Sequence, residues 1–252
     1  MSYLHGKFVW FEHTSSDLPK ARSFYEAWFG WHTEAVPMGT QRYFMIYNGD
    51  DGIGGYCEAN PGETNHWVGY LSVADVDATH AAALAAGART LMAPGDFGGV
   101  GRGSALADPT GAPFALWKGS RGDRPDLAKT PAGDWGWNEL WTSDERKALA
   151  FYEKVFGYER GQMEAGEGQP PYYVLKKDGI PRAGLARSVD PAAPSMWLPY
   201  VVVQDCGASA AKATSLGGQV VTGPVDYEGI GQYAVVIDPT GAAIAIIRPL
   251  ES

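Results

Sequence analysis

Two glutamates stand on aromatic, β-prone runs, Trp10-Phe-Glu12 and Trp137-Asn-Glu139. A carboxylate sheltered among rings can have its pKa raised and abstract a proton as a general base. The plainer alternative is a strand-end carboxylate that pairs with an arginine or caps a turn. His66 precedes an apolar run and could serve as a ligand, an acid or an ordinary loop residue. His5, His13, His32 and His80 are scattered, with no pair four residues apart, so no helical zinc motif exists. Strand alternation puts His13 on the face opposite Glu12. Cys57 and Cys206 form neither a disulfide framework nor a CxxC knot, a usage that suits a reducing cytoplasm. The run from Gly98 to Gly103 lacks the lysine and the strand–turn–helix setting of a phosphate loop. It reads as a flexible turn or a lid. No Gly-x-Ser-x-Gly elbow is present.

Aromatic residues are the stronger chemical signal. Period-two spacing places Trp10 with Glu12, and Trp135, Trp137 and Trp141 with Glu139. Tyr70, Trp117 and Tyr200 occupy comparable strand positions. Rings on one sheet face either fill a core or stack a flat or cationic ligand.

The elements that carry these residues occur twice. Asp17-Leu-Pro-Lys-Ala-Arg-Ser-Phe-Tyr-Glu-Ala-Trp-Phe-Gly-Trp31 returns as Asp144-Glu-Arg-Lys-Ala-Leu-Ala-Phe-Tyr-Glu-Lys-Val-Phe-Gly-Tyr158, an offset of 127. Asp108-Pro-Thr-Gly-Ala112 returns as Asp238-Pro-Thr-Gly-Ala242, an offset of 130. The second copy thus holds three extra residues in its middle, expected in a hairpin loop. Ala21, Phe24, Tyr25, Trp28 and Phe29 make one apolar helical face, capped by Asp17 and ended by Gly30. Strand, helix and three further strands follow one another, and the pattern then restarts, so each copy reads βαβββ-βαβββ. The expected division is residues 1–119 as the first module, 120–133 as a glycine- and proline-rich linker, and 134–252 as the second module.

The chain's 252 residues carry a net charge of -9, which repels nucleic acid and anionic membrane surfaces alike. No run approaches the roughly 20 apolar residues of a membrane helix, and no signal peptide is visible, so a cytoplasmic protein is expected.

The opening strand, the Asp-x-x-x-Ala-x-x-Phe-Tyr-x-x-x-Phe-Gly-Trp/Tyr helix and the closing Asp-Pro-Thr-Gly-Ala resemble the vicinal oxygen chelate superfamily. That superfamily includes glyoxalase I, bleomycin-resistance proteins and extradiol dioxygenases. The resemblance implies an α+β fold of two tandem modules. Each would be a curved mixed or antiparallel sheet forming a cup, with helices on its outer face. It also implies a divalent metal on the cup wall, acting as a Lewis acid. The family's ligand positions fall on Trp10, Val68 and Ala115, and on Trp137, Leu198 and Ala245, none of which can bind such an ion. No metal or other cofactor is therefore expected. Glu12, His66 and Glu139 remain as a fallback set for Zn, Ni, Mn or Fe in a shifted register.

Three functions follow. The first is a metal-free binder of a small aromatic or amphipathic molecule, lined by Trp10, Tyr70, Trp117, Trp137, Trp141 and Tyr200. The second is a metal-dependent enzyme, a lactoylglutathione lyase-like lyase, an isomerase or a dioxygenase, with Glu12 or Glu139 catalytic. The third is a structural or partner-binding scaffold. Two like modules in one chain imitate the dimer of single-module relatives, so monomer and homodimer both fit.

Overall fold

The structure is a computed structural model that describes residues 2–38, 41–163, 171–190 and 192–250. The first copy runs β1 (Phe8–Ser15), α1 (Leu18–Phe29), β2 (His32–Met38), β3 (Gln41–Asn48), β4 (Asp51–Glu58), β5 (His66–Ser72), α2 (Val76–Ala85), β6 (Arg89–Phe97), β7 (Gly101–Ala107) and β8 (Pro113–Gly119). The second repeats it as β9 (Trp135–Thr142), α3 (Glu145–Phe156), β10 (Glu159–Met163), β11 (Tyr172–Lys177), β12 (Ile180–Arg187), β13 (Met196–Val202), α4 (Cys206–Ser215), β14 (Gln219–Tyr227), β15 (Gly231–Ile237) and β16 (Ala243–Pro249). Strand orders are β2-β3-β4-β1-β5-β8-β7-β6 and β10-β11-β12-β9-β13-β16-β15-β14. This is the tandem βαβββ fold expected from the repeat.

Each helix starts on an aspartate, because its free N–H groups need an acceptor. Asp17 accepts from Lys20 N at 3.1 Å and Asp144 from Lys147 N at 3.0 Å. Asp75 and Asp205 do the same for Ala78 N and Ala208 N, both at 2.9 Å. Gly30 and Gly157 end α1 and α3 with φ of 78° and 64°, a left-handed turn that costs glycine nothing.

The register shows where the extra residues lie. Glu12 pairs with Gly55, and Glu139 with Gly184, an offset of 129 for the glycine strand. Two residues therefore enter the β10–β11 hairpin, and only the third falls between β12 and β13. The single-hairpin expectation is corrected on this point.

The chain packs as two compact units that cut across the repeat. The first comprises 1–10, 68–125 and 137–197, and the second 11–67, 126–136 and 198–252. In the first, Leu71, Phe114, Leu116, Leu140, Leu175 and Leu185 meet Leu149, Phe151, Tyr152 and Phe156 of α3 in one buried cluster. In the second, α1 buries Ala21, Phe24, Tyr25 and Trp28. There Trp28 donates its indole N–H to Ser209 O of α4 at 3.0 Å.

Part of the expected linker is packed chain. Trp31 donates to Gly133 O at 2.7 Å, and Trp135 lies 4.3 Å from Phe11, ring centre to ring centre. The chain's beginning does the same in the other unit: Tyr158 donates to Gly6 O, and Phe8 lies 4.9 Å from Trp197. Trp135 thus belongs with Trp31 and Trp67 in a core, apart from Trp137 and Trp141.

Candidate functional site

Strand alternation separates two faces. Leu140, Leu175, Ala183 and Leu185 turn to the helices, so Trp137, Glu139, Trp141, Tyr172 and Gly184 share the other face of β9, β11 and β12. All five lie in the first unit. Trp137 donates its indole N–H to the Tyr172 hydroxyl at 3.0 Å. Tyr172 donates to Glu139 Oε2 at 2.8 Å, and Trp141 donates to Glu139 Oε1. Glu139 is only 9% exposed, whereas the three rings are half-buried and keep open surface. Gly184 is required here, since a Cβ at that position would stand 2.0 Å from the Tyr172 oxygen.

Donor chemistry fixes the direction of this chain. An indole N–H can only donate. Trp137 therefore occupies the acceptor side of the Tyr172 hydroxyl, whose own proton points at Glu139. Trp141 points its proton at the other carboxylate oxygen. Both carboxylate oxygens thus receive a proton donor, the arrangement that suits an ionised acceptor.

The first copy changes one donor of its counterpart. Glu12 accepts from the Cys57 thiol at 3.4 Å, and Cys57 lies 3.3 Å from Thr14 Oγ1. Thr14 stands where the second copy has Trp141. Burial and the nearby Glu12 carboxylate push the Cys57 thiol far above its ordinary range, so it stays protonated and donates. Gly55 leaves room for Tyr43 as Gly184 does for Tyr172.

The other expected residues are placed as follows. Trp10 is half-buried on β1. Trp117 packs edge-on to Tyr70 at 6.2 Å and to Phe97 at 5.6 Å. Its indole lies across Gly101 and Gly103, where a Cβ would come within 2.5 and 2.9 Å of the ring. The glycine run is thus a β6–β7 turn at Gly98 and Gly99 followed by a platform for Trp117, and not a lid. Tyr200 is 5% exposed and lies 6.4 Å from Tyr233. His66 sets Nδ1 2.7 Å from Thr64 O at the start of β5.

Two further relays repeat the Trp–Tyr–carboxylate order inside the cores. Trp197 donates to Tyr152 at 2.8 Å, and Tyr152 to Asp108 Oδ2 at 3.0 Å, in the first unit. In the second, Trp67 donates to Tyr25 at 2.9 Å, and Tyr25 to Asp238 Oδ2 at 2.8 Å. His13 adds its Nε2 to the same Asp238 oxygen at 2.9 Å. These residues are buried and organise the fold. The glutamate relay alone among the three carries half-buried rings.

Residues 7–116 and 136–246 each match the Glyoxalase/Bleomycin resistance protein/Dioxygenase superfamily. The chain belongs to this family. The protein "Putative glyoxylase CFP32" of Mycobacterium tuberculosis is 35% identical over 98% of this chain and 96% of its own length. "Anthracycline biosynthesis protein DauV" of Streptomyces sp. (strain C5) is 28% identical over 97% of this chain and 94% of its own. Among solved structures, the Mn(II)-bound glyoxalase from Novosphingobium aromaticivorans matches with a TM-score of 0.68 and 17% identity, covering 98% of this chain and 84% of that one. A variant of homoprotocatechuate 2,3-dioxygenase from B. fuscum, in complex with HPCA, matches at 0.67 and 16%, covering 99% and 72%. At such identities the structures establish the fold alone.

A divalent ion does not suit the side chains at the family's ligand positions. Ala115 pairs in register with Tyr70, and Ala245 with Tyr200, so Val68, Leu198 and the two alanines occupy these strand positions, and Ala115, Leu198 and Ala245 are fully buried. None offers a lone pair. Among the described residues, no group of three or more His, Cys, Asp and Glu could hold a metal ion. Glu139 directs both oxygens at proton donors. Among the described residues, no helix is long and apolar enough to cross a membrane.

Proposed function

We propose that this family member captures a small, flat aromatic molecule on the open face of β9, β11 and β12, without a metal ion. The Trp137–Tyr172–Glu139–Trp141 relay carries the reading. It presents three partly open rings around one oriented carboxylate, whereas a general base would need a carboxylate free to take a proton. The name of the Streptomyces relative, an anthracycline biosynthesis protein, supports a ligand built of fused flat rings. Trp10, Tyr70 and Trp117 offer further ring surface in the same unit.

Acridine at pH 8, where it is flat and neutral, is a suitable probe. Saturable quenching of tryptophan fluorescence is expected, weakened about tenfold by Trp137→Ala. Absence of saturable binding, or equal binding by the variant, refutes the reading. The rival is a metal-dependent lyase, isomerase or dioxygenase, favoured by the fold shared with the Mn(II)-bound glyoxalase. Near-stoichiometric Ni, Zn, Mn or Fe in protein purified without chelators would establish that rival instead.

A further inference from the structure

We infer that the glutamate relay selects an organic cation, so that the captured ring system carries a permanent or protonated positive charge. The inference rests on the capture reading above and adds the ligand's charge. The relay suits an ionised carboxylate at a known point: Trp137 donates to the Tyr172 oxygen, and Tyr172 and Trp141 each aim a proton at one oxygen of Glu139. At 9% exposure the charge is poorly screened by water. Around it stand the half-buried rings of Trp137, Trp141 and Tyr172, whose N–H and O–H edges serve the relay, and the exposed part of an aromatic ring attracts cations. Half-buried rings and an oriented carboxylate together suit an ammonium or a ring-nitrogen cation. The chain's net charge of -9 also enriches cations near its surface.

The first copy differs at one corner of this arrangement. Thr14 replaces Trp141, and a thiol replaces one of the ring donors to the glutamate. Selection for charge is therefore assigned to the second copy's glutamate.

The test compares two probes of the same shape, acridine and 10-methylacridinium, at pH 8 and moderate salt. The cation should bind about tenfold more tightly than its neutral counterpart. Glu139→Gln keeps the size and the hydrogen-bonding reach of the side chain and removes its charge. It should bring the affinities of the two probes within about twofold of each other, a ratio read within the one variant and so independent of any loss of overall affinity, with an unchanged circular dichroism spectrum confirming the fold. Trp141→Phe, which keeps a ring but not the N–H, should narrow the preference. Equal affinity for the two probes overturns the cation inference and leaves aromatic capture standing. A preference that persists in Glu139→Gln overturns it as well. Binding of neither probe overturns both readings.

Discussion

Each packing unit joins a closing Asp-Pro-Thr-Gly-Ala turn to a helix tyrosine and a strand tryptophan, yet only the second adds a histidine. Asp108 takes four hydrogens, from Thr110 N, Thr110 Oγ1, Ala112 N and Tyr152. Asp238 takes the corresponding four from Thr240, Ala242 and Tyr25, and a fifth from His13. Where the second unit has His13, the first has the fully buried Leu140. The two environments push their aspartates apart. Burial raises Asp108, whereas His13 and the turn donors outweigh burial at Asp238 and hold it below the usual carboxylate range. Burial also pushes His13 below its ordinary value, so Nε2–H donates from a neutral ring. Its Nδ1 has no hydrogen-bond partner among the described residues. A polar pair and an aliphatic side chain therefore occupy equivalent core positions, and the polar solution depends on protonation.

The largest expected effect comes from deleting each aspartate. Asp238→Ala strands five buried donors and should cost about 3–5 kcal/mol, and Asp108→Ala about 1–2 kcal/mol less, read from urea unfolding midpoints. Equal losses would show that His13 adds nothing to the second unit.

His13→Leu sharpens the comparison by giving the second unit the first unit's residue. A histidine whose folded pKa is depressed contributes stability that is present above its unfolded value, near 6.5, and lost as pH falls below it. The native protein should therefore lose more stability between pH 7.5 and 5.5 than His13→Leu does. At pH 7.5 the two should differ by no more than about 1 kcal/mol, because buried polar pairs are often replaced by apolar residues at little cost. His80 is present in both proteins, and hydroxyls of Ser104 and Thr90 face both of its nitrogens, so the difference isolates His13. Parallel pH profiles would remove His13 as the cause of acid sensitivity.

The smallest effect should be symmetric. Asp17→Ala and Asp144→Ala each remove one exposed cap, and each should cost about 1 kcal/mol in thermal unfolding. A clear inequality between them would mean that the helices of the two copies do not support their units alike.

Much of this fold was legible because the features are local. The aspartate caps, the Phe-Tyr helix face, the ending glycines and the Asp-Pro-Thr-Gly turns are set by neighbours within a few residues. Glu139, Trp137 and Trp141 could be singled out by period-two spacing. Tyr172, which completes the site, was missed, although the repeated pairing of Tyr43 with Gly55 and of Tyr172 with Gly184 left a trace. His13 was read only as facing away from Glu12. Its partner, Asp238, lies 225 residues away in the chain.

The sequence alone determined the twofold repeat and the order of strands and helices, because each follows from periodicity and short-range capping. Tertiary structure decided which halves pack together, which aspartate meets a histidine, and toward which oxygen each tyrosine proton points. Those outcomes depend on burial and on distances good to a few tenths of an ångström between residues distant in the chain, and no local pattern encodes them.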